Sequence, residues 1–321
     1  MNRQSHSLRS SMLGKALILA LLLLFPAKAY TAQAHYDSPD KAMLSLLSAV
    51  CAQDIGQLKS VLGPESEQII FSGDKVADRN LLEKFIKAYG EKHQLVAGKS
   101  GTMILIVGKS DWPMPIPIVK KGGKWQFDTN AGKEEILNRR IGRNELSAIN
   151  TCHAIFEAQQ EYISRLGAHG DGVHDYAVRF ISEPGKRNGL YWPAPDNAPE
   201  SPLGLLVAGA AEEGYKPEPS ATESSLPYKG YRYRILTRQG AAAHGGATDY
   251  MVDGLLVKGF AIIAWPALYG NSGIMTFIMN HEGTIYQRNL GKETAKKVVR
   301  ITAYNPESSW KKSSPTQLNQ K

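Results

Sequence analysis

The sequence predicts an α+β fold, because stretches with helical and strand-like patterns follow one another in blocks. Apolar residues recur at helical spacing between Ser38 and Tyr89, and again between Asn144 and Leu166. Stretches rich in β-branched and aromatic residues fill residues 93–128 and 231–287 instead. We therefore expect N-terminal helices with a curved antiparallel sheet, followed by a long helix packed on a four-stranded antiparallel sheet.

Residues 1–34 have the pattern of a cleaved signal peptide. Three basic residues precede the apolar run Ala16–Phe25, and small residues at Ala27–Ala29 or Ala32–Ala34 offer two cleavage sites. A permanent membrane helix needs about 20 apolar residues, so an uncleaved anchor is the weaker alternative. We expect an exported, periplasmic protein with no permanent membrane span after cleavage.

The charge balance gives little reason to expect a nucleic-acid partner. Removal of residues 1–29 takes away four basic residues and no acidic one, which lowers the formal net charge from +8 to +4. A mature charge this small is weak evidence for binding to nucleic acid or to a membrane surface.

The N-terminal domain is expected at residues 35–142. Ser38 and Pro39 form a strong helix start, and the prolines of Trp112–Pro117 confine that stretch to a sheet edge. This order resembles the nuclear-transport-factor-like and cystatin-like folds, a comparison that implies no function. The predicted elements are helices Ser38–Gln53 and Asp54–Leu62, a strand Glu67–Phe71, a helix capped by Asp78, and strands His93–Ala97, Thr102–Val107, Ile116–Lys120 and Lys124–Asp128.

The C-terminal domain is expected at residues 143–307, with the boundary near Gly142 and a disordered tail at 308–321. Its order of a long helix followed by a sheet resembles the globular head of type IV pilins and pseudopilins. A short helix, Lys133–Arg140, is predicted just before the boundary. The helices predicted after it are Asn144–Leu166, a turn at Asp175–Ile181, and Leu203–Gly214. The predicted strands are Tyr231–Leu236, Phe260–Pro266, Ile274–Met279 and Thr284–Gln287.

The strand Phe260–Pro266 is apolar in both alternating sets of residues, so we expect both faces of it to be covered. The loop Asn280–Gly283 joins the next two strands as a hairpin, with Gly283 at a position that favours a positive φ.

The chain has two cysteines, Cys51 and Cys152. An oxidising compartment permits a disulfide between them, which would join the two halves. Both also lie on apolar helical stripes, where a buried cysteine acts as a small hydrophobe. We expect two separate buried thiols, with the disulfide as the alternative.

Several motifs along the chain are long enough to be specific. They are Trp112–Pro117, Arg139–Leu146, Gly189–Pro193, Ser201–Gly204, Tyr228–Tyr231, Gly259–Ala267 and Ser272–Phe277. Together they resemble the motifs of the bacterial exported family known as domain of unknown function 2950. The resemblance extends from about Tyr36 to Trp310, and it implies no defined activity and no catalytic residue.

No pattern in the chain carries a strong signal for catalysis, a metal or a cofactor. Ser272 lies in a turn rather than a nucleophile elbow. Gly240–Gly246 lacks the following helix of a phosphate loop. The cluster His169, Asp171, His174 and Asp175 has no known ligand spacing, and a solvated loop explains it better. We expect no catalytic residue, no metal and no cofactor.

A basic cluster at Arg139, Arg140 and Arg143 lies beside Glu134, Glu135 and Glu145. Residues at this spacing on a helix surface usually form ion pairs. We expect an ion-pair network that joins the two domains, with anion binding as the alternative.

Aromatic residues crowd the second half of the chain. Aromatics with a polar tip are favoured at recognition surfaces, although they also fill cores between sheet and helix. Both interpretations stay open at this point. The candidate binding residues are Tyr191, Trp192, Tyr231, Tyr233, Trp265 and Tyr269.

These observations favour a non-enzymatic binding or assembly factor whose partner is an envelope protein or polymer. The alternative is a periplasmic hydrolase that uses loop carboxylates such as Glu200 or Asp249. Two carboxylates that converge in a compact pocket would favour the hydrolase.

Overall fold

The structure is a computed structural model that describes residues 32–167, 173–194, 199–216 and 226–313, and these residues fall in one compact unit. Nearly all of the expected signal peptide lies outside them, as do His169, Asp171 and residues 314–321. Within these ranges, every helix is too short or too polar to cross a membrane.

Four helices come first in the described part of the chain. Ser38 caps the first of them as predicted, because its side chain accepts a hydrogen bond from the amide of Lys41. The predicted strand at Glu67–Phe71 is wrong. A 3₁₀ turn started by Pro64 leads instead into a short helix. The helices are α1 Pro39–Cys51, α2 Ile55–Leu62, α3 Glu67–Ile70 and α4 Lys75–Glu91.

The cap predicted for α4 is displaced by one turn. Asp74 caps it, since its Oδ1 accepts from the amides of Val76 at 3.1 Å and Ala77 at 3.0 Å. Asp78 lies inside the first turn and accepts from the amide of Ser72.

An antiparallel sheet follows the helices, as predicted. Its main strands are in the order β1-β2-β4-β5, and α1 and α2 pack against β5 over the first apolar core. The prolines after Trp112 limit that stretch to a two-residue strand on β2. The strands are β1 His93–Ala97, β2 Met103–Val107, β3 Trp112–Pro113, β4 Ile118–Lys121 and β5 Lys124–Phe127.

A single helix of 37 residues, α5 Thr129–Arg165, joins the two halves of the chain. The predicted break at Gly142 is wrong. An isolated glycine costs a helix only about 1 kcal/mol relative to alanine, which the packing of so long a helix readily offsets. The domain boundary near Gly142 stays a prediction.

The described residues between α5 and α6, 173–194 and 199–203, are mostly irregular. The helix α6 Gly204–Glu212 ends before Gly214, which has a φ of 90°. The helical turn predicted at Asp175–Ile181 is wrong, because Tyr176 and Ile181 form β-bridges with Leu256 and Tyr191.

The second sheet has five antiparallel strands, in the order β14-β13-β12-β11-β6, where four were predicted. The fifth strand forms because Trp310 is buried and places the next two residues beside β13. Ordered chain therefore continues beyond Ser308, the expected start of the tail. The strands of this sheet are β6 Tyr231–Leu236, β11 Ala261–Pro266, β12 Met275–Asn280, β13 Ile285–Asn289 and β14 Lys311–Lys312. Two separate two-stranded sheets pair β7 Arg238–Gln239 with β8 Thr248–Asp249, and β9 Met251–Val252 with β10 Leu255–Leu256.

Helices cover both faces of the five-stranded sheet. The helix α5 contacts β11 and β12, while α7 Thr294–Val299 packs on β11 from the other side, where Arg234 donates to two carbonyls near the end of α7. Every residue of β11 is buried, as predicted. The hairpin at Asn280–Gly283 is also confirmed, with a φ of 77° at Gly283.

Candidate functional site

The six aromatic candidates do not form a surface patch. Trp192, Tyr231, Tyr233 and Trp265 are buried in the core, while Tyr191 and Tyr269 are half-buried. Tyr231 donates its hydroxyl to the carbonyl of Met275 at 2.9 Å. Packing between sheet and helix accounts for most of this set.

The two cysteines are free thiols. Cys152 is buried, and burial raises the pKa of its thiol to about 12, which keeps it protonated and unreactive. Cys51 is exposed instead, because it is the last residue of α1.

The basic cluster joins the two halves of the chain, but mainly through neutral acceptors. Arg140 is 5% exposed, and its guanidinium donates to the carbonyls of Gln68, at 2.8 Å, and Ile69, and to the side-chain oxygen of Asn271. Arg139 forms only an exposed pair with Glu135. Arg140 therefore has a structural role and three of its N–H donors are occupied, which argues against anion binding there.

Glu145 also links the helix to the second sheet. Its Oε1 accepts from the amides of Ile274 at 2.9 Å and Met275 at 3.0 Å. This carboxylate is therefore occupied by the backbone at the start of β12 rather than by an arginine.

The other weak motifs have structural roles. Ser272 is buried, and its hydroxyl closes a turn with the backbone of Leu268. The segment Gly240–Gly246 connects the paired strands β7 and β8, as expected. Among the described residues, no three His, Cys, Asp or Glu side chains are grouped as a metal site would require.

A cavity of about 580 Å³ lies where the first turn of α4, the middle of α5, α6 and β6 meet. Most of its wall is aliphatic or aromatic. The apolar lining residues include Val76, Ile155, Phe180, Leu203, Leu206, Val207, Ala210, Leu226, Tyr228 and Tyr233. Pockets of about 300–1,000 Å³ with apolar walls are the usual sites for small ligands.

Among the described residues that line this cavity, Asp74 supplies the one carboxylate, and that carboxylate is saturated. Besides the two amides of α4, it accepts from the hydroxyl of Tyr215 and the amide of Gly230, both at 2.9 Å. These bonds join the start of α4 to the chain on both sides of residues 217–225. Asp74 is 1% exposed, so it holds the wall of the cavity in place rather than facing a ligand.

Tyr215 and Tyr228 form the polar side of the wall. Their rings meet edge to face with centroids 5.0 Å apart, and Tyr215 accepts a hydrogen bond from the amide of Lys229. Burial, together with the neighbouring charge of Asp74, raises the pKa of Tyr215 far above its usual value. The phenol is therefore neutral and serves as a donor to Asp74.

The two carboxylates suggested by the sequence for hydrolysis lie outside the cavity. Glu200 and Asp249 are exposed and absent from the cavity wall, and Asp249 accepts from the amide of Met251. Among the described lining residues there is thus no pair of converging carboxylates such as a glycosidase-type site requires.

Sequence reasoning found Tyr233 but missed the rest of the cavity. One signal was available in α6, because GLLVAGAAE is apolar on nearly every side. Leu206, Val207 and Ala210 of α6 line the cavity, while Leu205 is 79% exposed. Such a helix is too apolar for an ordinary surface position and points to a neighbouring cavity or interface.

No curated protein matches the chain, and no solved structure does either. The comparisons with pilin heads and with nuclear-transport-factor-like folds therefore gain no support. In agreement with the motif resemblance, a family model matches residues 33–313, so the chain belongs to the family described as Protein of unknown function (DUF2950).

Proposed function

We propose that the protein is an exported, non-enzymatic binding protein of the cell envelope that encloses an apolar group in the cavity between α4, α5, α6 and β6. The observation that carries this proposal is the combination of size and lining. The cavity has about 580 Å³ and apolar walls, and the one carboxylate among its described lining residues is already saturated.

Catalysis finds less support in the same site. General acid–base chemistry needs a titratable group within reach of a substrate. Asp74 has no free lone pair directed at the cavity, and Tyr215 holds its proton against Asp74. Glu200 and Asp249 lie outside, so the hydrolase alternative lacks an observation in its favour.

The signal-peptide pattern of residues 1–34 supports export to the periplasm. A protein in that compartment meets amphiphiles and the apolar segments of envelope proteins. Enclosure of such groups would also suit the assembly role, because an apolar group needs shielding from water while it crosses the periplasm.

The experiment is a titration of the full mature chain with the neutral fluorophore N-phenyl-1-naphthylamine, whose emission rises in apolar surroundings. The variant Ala210→Phe places a ring in the cavity from α6, whereas Ala208→Phe places the same ring on the exposed side of that helix. We expect saturable binding by the wild type and by Ala208→Phe, and binding at least about tenfold weaker for Ala210→Phe.

Circular dichroism and urea unfolding serve as controls that both variants fold. If Ala210→Phe disturbs folding, the smaller Ala210→Leu takes its place. Equal binding by a folded cavity variant and the wild type, or no saturable binding by the wild type, would disprove the proposal.

A further inference from the structure

The cavity combines its apolar walls with two lysines. Lys75 and Lys216 both line it, and Asp74 supplies the one carboxylate among the described lining residues. Since Asp74 is saturated by hydrogen bonds from neutral donors, it does not form an ion pair with these cations.

The two lysines lie on adjacent segments. Lys75 directly follows Asp74, and Lys216 directly follows Tyr215, and the side chains of Asp74 and Tyr215 are hydrogen-bonded at 2.9 Å. Gly214 packs against the same turn of α4, since a Cβ added to it would lie 3.8 Å from Cγ1 of Val76. The two lysines therefore belong to neighbouring parts of the cavity wall.

Local stability does not explain why a lysine occupies either position. Lys75 occupies the first turn of α4, where the helix dipole disfavours a cation. Within the described residues, neither lysine has an ion-pair partner, although both are exposed enough to reach one. A pair of cations at the edge of an apolar cavity is the arrangement that recognises an anionic head group on an apolar tail.

Resting on the function proposed above, we propose that the ligand is a single-chain anionic amphiphile, with its tail between Ile155, Leu206 and Val207 and its carboxylate or phosphate at Lys75 and Lys216. A cavity of this volume encloses a ligand of ordinary small-molecule size. One acyl chain meets that limit, whereas the two chains of a bilayer phospholipid exceed it.

The test compares dodecanoate with 1-dodecanol, which share a tail length and differ in charge. Both are titrated as competitors of N-phenyl-1-naphthylamine on the full mature chain, together with a monoacyl phosphatidylglycerol. We expect dodecanoate to bind about tenfold more tightly than dodecanol, with a preference that shrinks as salt is added. Comparison of dodecanoate with the monoacyl lipid shows whether the head group is a carboxylate or a phosphate.

The double variant Lys75→Ala with Lys216→Ala is expected to abolish the preference for the anion and leave the affinity for dodecanol unchanged. The matched control, Lys84→Ala with Lys87→Ala, removes two exposed lysines from the same helix outside the cavity and is expected to retain the preference. All these positions are exposed, so the variants are expected to fold.

Equal affinity of the wild type for dodecanoate and dodecanol would overturn the inference. So would an equal loss of affinity for both ligands in the double variant Lys75→Ala with Lys216→Ala. If the fluorophore still binds and Ala210→Phe still weakens it, the function proposed above survives that result. If the fluorophore does not bind at all, both proposals fail.

Discussion

Replacement of the buried Arg140 by methionine is expected to destabilise the protein strongly, because Arg140 joins α3 and the loop before β12 to the long helix. Arg140→Met keeps most of the length and apolar contacts of the side chain. It leaves three oxygen acceptors without a donor, the carbonyls of Gln68 and Ile69 and the side-chain oxygen of Asn271.

Each buried acceptor without a donor costs about 1–3 kcal/mol, and hydrogen bonds to a charged donor are worth about 1.5–3 kcal/mol. These costs do not add in full, since methionine avoids the desolvation of a guanidinium, which already lowers the pKa of Arg140. We therefore take the lower end of that cost for each of the three acceptors, which gives about 3 kcal/mol in all. We expect a fall of that size in the free energy of unfolding.

Urea unfolding followed by circular dichroism measures this fall, with the slope checked to be the same in both proteins. Arg139→Met is the matched control, because the neighbouring Arg139 forms only an exposed pair with Glu135, worth about 0.3–0.5 kcal/mol. A double-mutant cycle with Asn271→Ala should give a coupling of about 0.5–3 kcal/mol. A loss below about 1 kcal/mol for Arg140→Met, similar to Arg139→Met, would refute the reasoning.

Two further predictions concern the thiols and the tyrosines. Iodoacetamide at pH 8 should alkylate one cysteine of the folded protein, the exposed Cys51, because burial raises the pKa of Cys152 to about 12. A mass spectrum that shows two alkylated cysteines, or none before a reductant is added, would contradict this prediction. Burial also raises the pKa of both Tyr162 and Tyr250 to about 12, against about 10 in the unfolded chain. Because the folded state favours the neutral phenols, their full contribution to the free energy of unfolding is present below pH 10 and is lost between about pH 10 and 12. An unchanged urea midpoint across that range would show that folding does not raise the pKa of these phenols.

Local patterns predicted most of the elements. The strand Tyr231–Leu236 was predicted correctly because tyrosines alternate with arginines directly after Gly230, which gives the strand one buried face. The cap of α1 at Ser38 and the hairpin before Gly283 follow from side-chain and φ preferences that act within a few residues. Such features depend on neighbours in the sequence, so the sequence displays them.

The errors arise where distant residues decide the outcome. Gln68–Phe71 has a strand-like composition, yet Arg140, about 70 positions later, binds its carbonyls in a helical turn. Lys311–Lys312 looks like part of a polar tail, and only the burial of Trp310 explains its pairing with β13. Neither long-range contact leaves a periodic signal.

The cavity was beyond sequence reasoning for the same reason. Its wall combines the start of α4, one face of α5, α6 and β6, which are separated by up to about 150 positions. Aromatic content directed attention to Tyr231 and Trp265, which pack in the core, rather than to Leu206 and Val207. Aliphatic residues that line a cavity have the same pattern as those that fill a core.

The central claim is that the cavity between α4, α5, α6 and β6 encloses an apolar chain. A crystal structure of the mature protein with a terminally brominated dodecanoate tests it directly, because the anomalous signal of bromine locates the end of the tail. The account predicts a bromine peak between Ile155, Leu206 and Val207. Bromine found only on the outer surface, with the cavity closed by the protein's own side chains, would contradict it.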